Sequence, residues 1–171
     1  DYASYLEELE SAGLTVAIVR FDTVEQVKSS AELIGRLSNT DGTAEQLSAF
    51  YDSALTRLKT LTMTEDKKTV TVYNNDPILT ELLSYLNCEL SPQGKYTVAK
   101  AADNVNGAIT APSGIEPWDQ PSVALVLGLY WYACKLFPNA VSVDEATQKA
   151  INFYADFYGV KLTAEDLGIK D

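Results

Sequence analysis

The chain has 171 residues, of which 46% are hydrophobic, and a formal net charge of −11 at pH 7. This length and composition are typical of a folded protein of one domain or slightly more, and they argue against disorder. The 24 acidic and 13 basic residues argue against a nucleic-acid partner, because phosphate binding requires clustered Lys and Arg.

The first predicted elements are a helix and a strand. Apolar residues at helical spacing predict a helix over residues 2–12, and Gly13 is a natural residue to end it. The short β-branched run LTVAIV then predicts a buried strand over residues 14–19. The order helix, glycine, strand is typical of an α/β fold.

Two helices are predicted next, with no strand between them. Thr23 is the predicted N-cap of the first helix, and Gln26 occupies its capping-box position. The second helix is predicted to begin at Thr43 and to run to about Leu61. A helical connector of about forty residues is unusual inside a compact sheet domain.

The middle of the chain contains two predicted strands with one helix between them. The segment KKTVTVYNN predicts a strand over residues 69–73. Asp76 is the predicted N-cap of the helix that follows, with Pro77 at its first position. Residues 91–107 show no readable pattern, and residues 108–112 predict a short strand.

A proline-punctuated loop, PSGIEPWDQP, precedes an apolar stretch at residues 123–137. The stretch contains Lys135 and is shorter than the ~20 apolar residues that span a bilayer, so we interpret it as a core helix. Prolines reduce the entropy that a loop loses when it is ordered. We therefore expect the loop to present Ser113, Glu116 and Trp118 at the edge of the sheet.

The C-terminal segment is predicted to be helical. Ser142 and Glu145 form a capping box at the start of a helix that stops before Gly159. Thr163 is the predicted cap of a last helical turn.

The sequence contains no histidine, which excludes Ser-His-Asp and Cys-His catalysis and removes the commonest transition-metal ligand. The two cysteines, Cys88 and Cys134, are too few for a zinc cluster. Two interpretations stay open for them: a disulfide in an oxidising compartment, or two buried free thiols. The sequence predicts no catalytic residue, no metal site and no cofactor.

Three features occur in a fixed order: the αβ unit with its long helical connector, then APSGIEPWDQPSVALVLGLYWYACKLFPN, then DEATQKAINFYADFYGVKLTAEDL. In this order they resemble the helical-backbone class, class III, of substrate-binding proteins of ABC importers. The resemblance covers residues 2 to about 61 and 108–167. It implies two Rossmann-like α/β lobes that are joined by one long helix, with the ligand between the lobes.

The resemblance also implies a division of the chain. Residues 1–42 resemble the end of the first lobe, a helix–strand–helix unit; residues 43–62 resemble the connecting helix; and residues 63–171 resemble the second, C-terminal lobe. The first half of the first lobe has no counterpart here, and residues 90–108 leave no room for an additional strand–helix–strand unit. We therefore expect a helix-rich α/β fold with a short sheet, incomplete relative to the two-lobe fold.

The resemblance implies a solute-binding protein that delivers a small molecule to an ABC permease. Family members bind iron-siderophores, haem, cobalamin, metal ions and some oxyanions. The absence of histidine disfavours bare zinc or manganese, so an iron chelate or related metal complex is expected. The expected location is extracytoplasmic, either periplasmic or as a membrane-anchored lipoprotein, although no signal segment is visible at Asp1.

Ligands of open α/β sheets lie beyond the carboxyl ends of the strands. Six residues that follow predicted strands are therefore candidates for ligand binding. They are Arg20, Asn74, Asn75, Ser113, Glu116 and Trp118.

Each of these candidates has a simpler alternative. Arg20 would hold a carboxylate or phosphate, or would pair with a surface acid such as Asp22. Trp118 would stack on a flat ligand, or would form a lid over the apolar helix. Asn74 and Asn75 would make a turn. Asp119 and Ser122 are expected to cap the following helix, and Asp76 is expected to act as a cap.

Two other functional classes have weaker support in the sequence. No pair of carboxylates has a spacing that points to acid–base chemistry, so an enzyme is not expected. The alternative function is a truncated lobe that acts as a structural or self-association module without a ligand. An incomplete sheet exposes an edge and an apolar patch, which favours a homo-oligomer.

Overall fold

The computed structural model describes residues 2–169, in which six α-helices accompany three short strands. In chain order the elements are α1 (Tyr2–Ser11), α2 (Val24–Ser38), α3 (Asp41–Thr62), β1 (Lys68–Val72), α4 (Pro77–Ser84), β2 (Cys88–Leu90), β3 (Tyr96–Val98), α5 (Leu125–Leu136) and α6 (Val143–Tyr158). Short 3-10 turns, Tyr73–Asn75 and Ala101–Asp103, come after β1 and β3. The predicted helix-rich α/β class with a short sheet is confirmed.

The three strands form one parallel sheet in the order β2-β1-β3. Val70 pairs with Leu90 on one side and with Tyr96 on the other. The predicted strand at residues 69–73 is confirmed with a shift of one residue. The predicted strand at residues 108–112 is reduced to a single bridge between Ile109 and Val98. The two three-residue strands, β2 and β3, were not predicted.

Residues 14–19 do not form the predicted buried strand. The segment is not helical and pairs with no described strand, and Leu14, Ile18 and Val19 are 55%, 51% and 40% exposed. A strand needs a hydrogen-bonded neighbour, and the β-branched composition of this run cannot supply one. The sequence-based prediction was therefore wrong within the described residues.

The predicted helix starts are confirmed by their caps. The Thr23 hydroxyl accepts a hydrogen bond from the Gln26 backbone N–H, and the Ser142 hydroxyl accepts one from that of Glu145. Gly159 ends α6 in the left-handed conformation, where glycine carries no steric penalty. Helix α3 begins at Asp41, two residues before the predicted start.

The core surrounds α5. Every residue of this helix except Lys135 is buried, and it packs against α3, α4 and α6. Val24 and Val27 of α2 belong to the same core, so the end of the predicted first lobe packs on the predicted second lobe. Within the described residues, no helix combines the length and apolarity needed to cross a membrane.

Both cysteines are free thiols, as the second interpretation of the sequence expected. Cys134 is buried in α5 and Cys88 is partly buried in β2. Burial raises the pKa of the Cys88 thiol to about 12 and that of the Cys134 thiol to about 11. Both groups are therefore protonated and unreactive at neutral pH.

Candidate functional site

The carboxyl ends of β1 and β3 define the edge at which an open α/β sheet binds ligands. The two strands are parallel neighbours, so the chain leaves the sheet on the same side after Val72 and after Val98. Asn74 and Asn75 follow β1 in the left-handed conformation, with φ of 53° and 51°. Asparagine tolerates this conformation better than most residues. The two residues therefore form a turn, which is the alternative role that was expected for them.

Asp76 joins the two segments that leave this edge. Its Oδ1 accepts hydrogen bonds from the backbone N–H groups of Ile78 and Leu79, which caps α4 as predicted. Its Oδ2 lies 2.6 Å from Nζ of Lys100, just after β3. Both side chains are less than one fifth exposed, so the ion pair is shielded from solvent and holds the start of α4 against the end of β3.

Asp119 is the buried carboxylate of the site, with 1% of its surface exposed. Its Oδ2 accepts a hydrogen bond of 3.0 Å from the backbone N–H of Ala101. Burial raises the pKa of Asp119, and the Ala101 N–H and the charge of Lys100 oppose this shift. The expectation that Asp119 caps α5 is wrong, because its carboxylate ties the loop before α5 to the turn after β3.

Two cavities, of about 320 and 370 Å³, border Ala101 at this connection. Ala101 and Ser113 line both of them. The smaller is completed by Ala102, Asn104, Pro117, Asp119 and Gln120, and the larger by Thr110, Ala111, Pro112, Gly114, Trp131 and Gly168. Both volumes fall in the range of about 300–1,000 Å³ that is typical of small-molecule pockets.

Gly114 explains the position of the loop that lines these cavities. A Cβ atom at this position would overlap the backbone of Asp166 and Leu167. Only glycine therefore lets the loop approach the C-terminal turn so closely. That contact closes one wall of the larger cavity, which Gly114 and Gly168 both line.

The hydroxyl of Tyr132 is a buried polar atom that makes no hydrogen bond of good geometry with any residue in the described part of the chain. Burial and the neighbouring charge of Asp119 raise its pKa well above the usual value, and the backbone of Ala111 lies close by. Asp119 lines the smaller cavity and Ala111 the larger. An unpaired buried hydroxyl costs ~1–3 kcal/mol, and Tyr132 itself lines neither cavity.

Trp118 lies inside the core with 1% of its surface exposed. Its Nε1 donates a hydrogen bond of 3.2 Å to the Tyr154 hydroxyl, and its ring meets the Trp131 ring edge-on at 6.3 Å. Stacking on a ligand requires an accessible ring face, which this placement does not provide. The structure therefore puts Trp118 in its alternative role, as a lid over α5.

Glu116 is held by two tyrosines of α6. The hydroxyls of Tyr154 and Tyr158 both donate to its Oε1, at 3.0 and 3.3 Å. Burial, with the charge of Glu116, raises the pKa of Tyr158 to about 12, so this phenol remains a donor at neutral pH. Glu116 is partly exposed on the same loop as Ser113, but it lines neither cavity.

Arg20 and the two asparagines lie outside the pair of cavities. The backbone N–H of Arg20 donates to the Ser30 hydroxyl, which donates in turn to the Arg20 carbonyl, both at 2.8 Å. The Arg20 side chain is exposed, and the alternative ion pair with Asp22 does not form in residues 2–169. Asn75 lines a separate small cavity of about 140 Å³ near β1.

A larger groove, of about 640 Å³, runs along α3 and is broadly open to solvent. It is lined by residues of this one helix: Asp52, Ser53, Thr56, Arg57, Thr60 and Leu61. Asp52 and Arg57 are already paired with Lys28 and Glu145. A shallow groove on one helix encloses little of a ligand, so we place the candidate site at the edge of the sheet.

Part of this site was not predicted, because residues 91–107 showed no readable secondary-structure pattern. Ala101, Ala102 and Asn104 come from that stretch, and Ala101 contributes a backbone N–H, which no side-chain motif reveals. Within residues 2–169, no three Cys, Asp or Glu side chains group as metal ligands would.

No protein-family model and no curated protein matches this chain. Its fold is similar to that of a periplasmic solute-binding protein from Veillonella parvula, with a TM-score of 0.76 and 16% identity. The match covers 98% of this chain and 67% of that one. An ABC transporter solute-binding protein from Sulfurospirillum deleyianum matches with a TM-score of 0.71, 17% identity and coverage of 96% and 67%. At these identities the likeness establishes the fold alone.

Proposed function

We propose that this chain acts as an extracytoplasmic solute-binding component of an ABC importer and has no catalytic role. The observation that supports the proposal is a pair of cavities at the carboxyl edge of the sheet, in a fold shared with two solute-binding proteins over nearly the whole chain. The partners are then a small-molecule ligand and an ABC permease. The similarity of fold supports the transport role by analogy, and measuring ligand binding tests it directly.

The proposed ligand is an iron chelate or a related metal complex. A chelated metal brings its own ligands, so the protein needs only polar and apolar contacts around it. The absence of histidine and of a metal-ligand cluster among the described residues suits a chelate better than a bare transition metal.

The proposed binding residues differ in their distance from the cavities. Ser113 and Asp119 contact the ligand directly, because both line the smaller cavity. Glu116, Asn74, Asn75 and Arg20 are proposed to contact the ligand from positions outside the two cavities. Trp118 positions the loop from below through its hydrogen bond to Tyr154.

A thermal-shift screen against ferric siderophores, haem, cobalamin and molybdate tests the proposal. A ligand at about 100 times its Kd stabilises the folded state by ~2.7 kcal/mol, which raises Tm by roughly 5–10 °C in a protein of this size. The expected result is a shift that grows with ligand concentration. A folded sample that shows no shift with any of these ligands would contradict the proposal.

Two matched variants test where the ligand binds. Ser113→Trp puts a large ring at an exposed position that lines both cavities, and we expect it to abolish the shift. Ser53→Trp makes the same change at an exposed position in the α3 groove and should leave the shift intact. The opposite pattern would move the site to α3.

A second candidate function is self-association through the N-terminal region. Several apolar side chains are exposed there: Tyr5, Leu9, Leu14, Ile18 and Val19. Exposed apolar patches favour association. The two similar structures are of solute-binding proteins, which does not favour this candidate. Sedimentation equilibrium distinguishes the two, because a concentration-independent monomer excludes self-association.

A further inference from the structure

The charge of the lining residues restricts the ligand class. Asp119 is the only ionisable side chain among the described residues that line the two cavities, and it is a carboxylic acid. The remaining lining residues contribute amides, hydroxyls, apolar groups and backbone atoms. Among residues 2–169, no Lys or Arg lines either cavity to receive an anionic ligand.

Two lysines close to the site in the described part of the chain are already engaged. Nζ of Lys100 lies 2.6 Å from Oδ2 of Asp76, whose negative charge offsets that of the lysine. Lys135 lies over the face of Trp131, with Nζ 4.4 Å from the ring centroid. An anion that entered the site would have to compete with Asp76 for Lys100, or with the Trp131 ring for Lys135.

The sequence around the site carries the same sign. From Ala101 to Cys134 the chain contains no Lys and no Arg, but it contains Asp103, Glu116 and Asp119. This segment supplies every residue that lines the two cavities except Gly168. The fixed charge of the walls is therefore negative.

Burial and position make the charge of Asp119 effective. Asp119 is 1% exposed, so solvent screens it weakly, and a nearby cation gains more than it would at the surface. Asp119 also lines the smaller cavity directly, so its carboxylate lies where a ligand in that cavity would be bound.

We infer that the site selects a ligand that presents an ammonium or a comparable cationic group to Asp119, and that it discriminates against anionic chelates. This inference rests on the proposed solute-binding function and narrows its substrate class. The preferred iron chelate is one with a positively charged or neutral periphery. Burying a second negative charge beside Asp119 without a counter-ion is strongly unfavourable.

Three ferric trihydroxamates that share one iron core test the inference. Ferrioxamine B ends in an ammonium, its N-acetyl derivative in a neutral amide, and its N-succinyl derivative in a carboxylate. Isothermal titration calorimetry should give Kd values that increase in that order, by about tenfold per step, since a factor of ten corresponds to ~1.4 kcal/mol. Equal affinities, or tightest binding of the carboxylate, would overturn the inference and leave the proposed function standing.

Asp119→Asn isolates the group responsible. Asparagine keeps an oxygen that accepts from the Ala101 N–H, so the fold is retained, which melting curves verify. The variant should reduce the preference for ammonium over carboxylate from about a hundredfold to less than tenfold. Asp103→Asn removes the same charge from an exposed neighbour that lines neither cavity and should leave the order unchanged. An unchanged order in Asp119→Asn would contradict the assignment.

A second titration distinguishes a wrong iron-chelate proposal from a wrong charge inference. If none of the three complexes binds, spermidine is titrated as an organic cation without metal. Binding of spermidine that Asp119→Asn abolishes would keep the charge inference and remove the iron-chelate proposal. If neither the three chelates nor spermidine binds, the charge inference and the iron-chelate proposal are both overturned.

Discussion

Lys100 and Asp76 form an ion pair, with Nζ and Oδ2 2.6 Å apart, that connects the end of β3 to the first turn of α4. The same Asp76 carboxylate caps α4 through its other oxygen. One side chain therefore fixes both segments that leave the carboxyl edge of the sheet. The cavities beside Ala101 depend on this arrangement, because Ala101 follows Lys100 directly.

The two roles of Asp76 are separable by mutation. Asp76→Ala should lower the free energy of unfolding by ~2–4 kcal/mol, because it removes the cap and leaves Lys100 without its counter-ion. Asp76→Asn keeps the cap and should cost less. Urea denaturation of both variants measures the difference. If both variants lose the same stability, the cap contributes nothing and this assignment is wrong.

The hydrogen bond between Trp118 and Tyr154 should contribute ~0.5–1.5 kcal/mol to stability. A double-mutant cycle with Trp118→Phe and Tyr154→Phe measures it, since the coupling energy isolates the pair. Trp118→Ala should cost ~3–5 kcal/mol, because it empties a core position. A Trp118→Ala variant as stable as the wild type would refute its place in the core.

Gly128 should tolerate no side chain, because a Cβ atom there would overlap the Trp118 carbonyl oxygen. Gly128→Ala is expected to cost ~1–3 kcal/mol through forced displacement of the loop. Gly42→Ala is the matched control in α3, where a Cβ atom meets no atom within 4 Å. Helix propensity predicts that this control is neutral or stabilising by up to ~1 kcal/mol. Thermal unfolding of the two variants compares them, and a stable Gly128→Ala protein would contradict the packing.

Asp119 should make a stability contribution that depends on pH. Asp76, Lys100, Tyr132 and the backbone of Ala101 surround its carboxyl group, and burial is the main cause of its raised pKa. The folded state therefore holds the proton more tightly than the unfolded state. This contribution is fully present below the unfolded pKa and is lost as the pH rises through the folded pKa.

Asp119→Asn cannot titrate, so it removes this dependence. The Tm of Asp119→Asn minus the Tm of the wild type should increase between about pH 4 and pH 7. The comparison cancels the titration of the other carboxylates, because both proteins share them. A difference that is constant over this range would show that Asp119 has an ordinary pKa.

The helices were predicted well because the residues that cap each helix lie close to it in the sequence. Thr23, Asp76 and Ser142 each cap a helix within three residues of their own position, so the donor and acceptor are readable from adjacent sequence. The burial of α5 followed from the near absence of charged residues in its stretch. The class of the fold was also predictable, because helices alternate with β-branched runs.

Strands and contacts between distant segments were not predictable in the same way. The run at residues 14–19 has a strand composition but no partner strand within residues 2–169, whereas β2 and β3 are three residues long and form because β1 lies between them. Trp118 was placed by Tyr154 and Gly128, which follow it by 36 and 10 positions. Strand pairing is set by neighbours that are far away in sequence, so composition alone cannot decide it.

The sequence by itself determined the approximate positions of the helices, the burial of α5, the absence of histidine chemistry and the negative charge of the segment from Ala101 to Cys134. Only the tertiary structure decided that Asp119 accepts a hydrogen bond from Ala101 rather than capping α5, and that Ser113 lines two cavities. Both outcomes depend on the close approach of backbones at Gly114 and Gly128. Residue type sets which groups are available, whereas packing sets which of them meet.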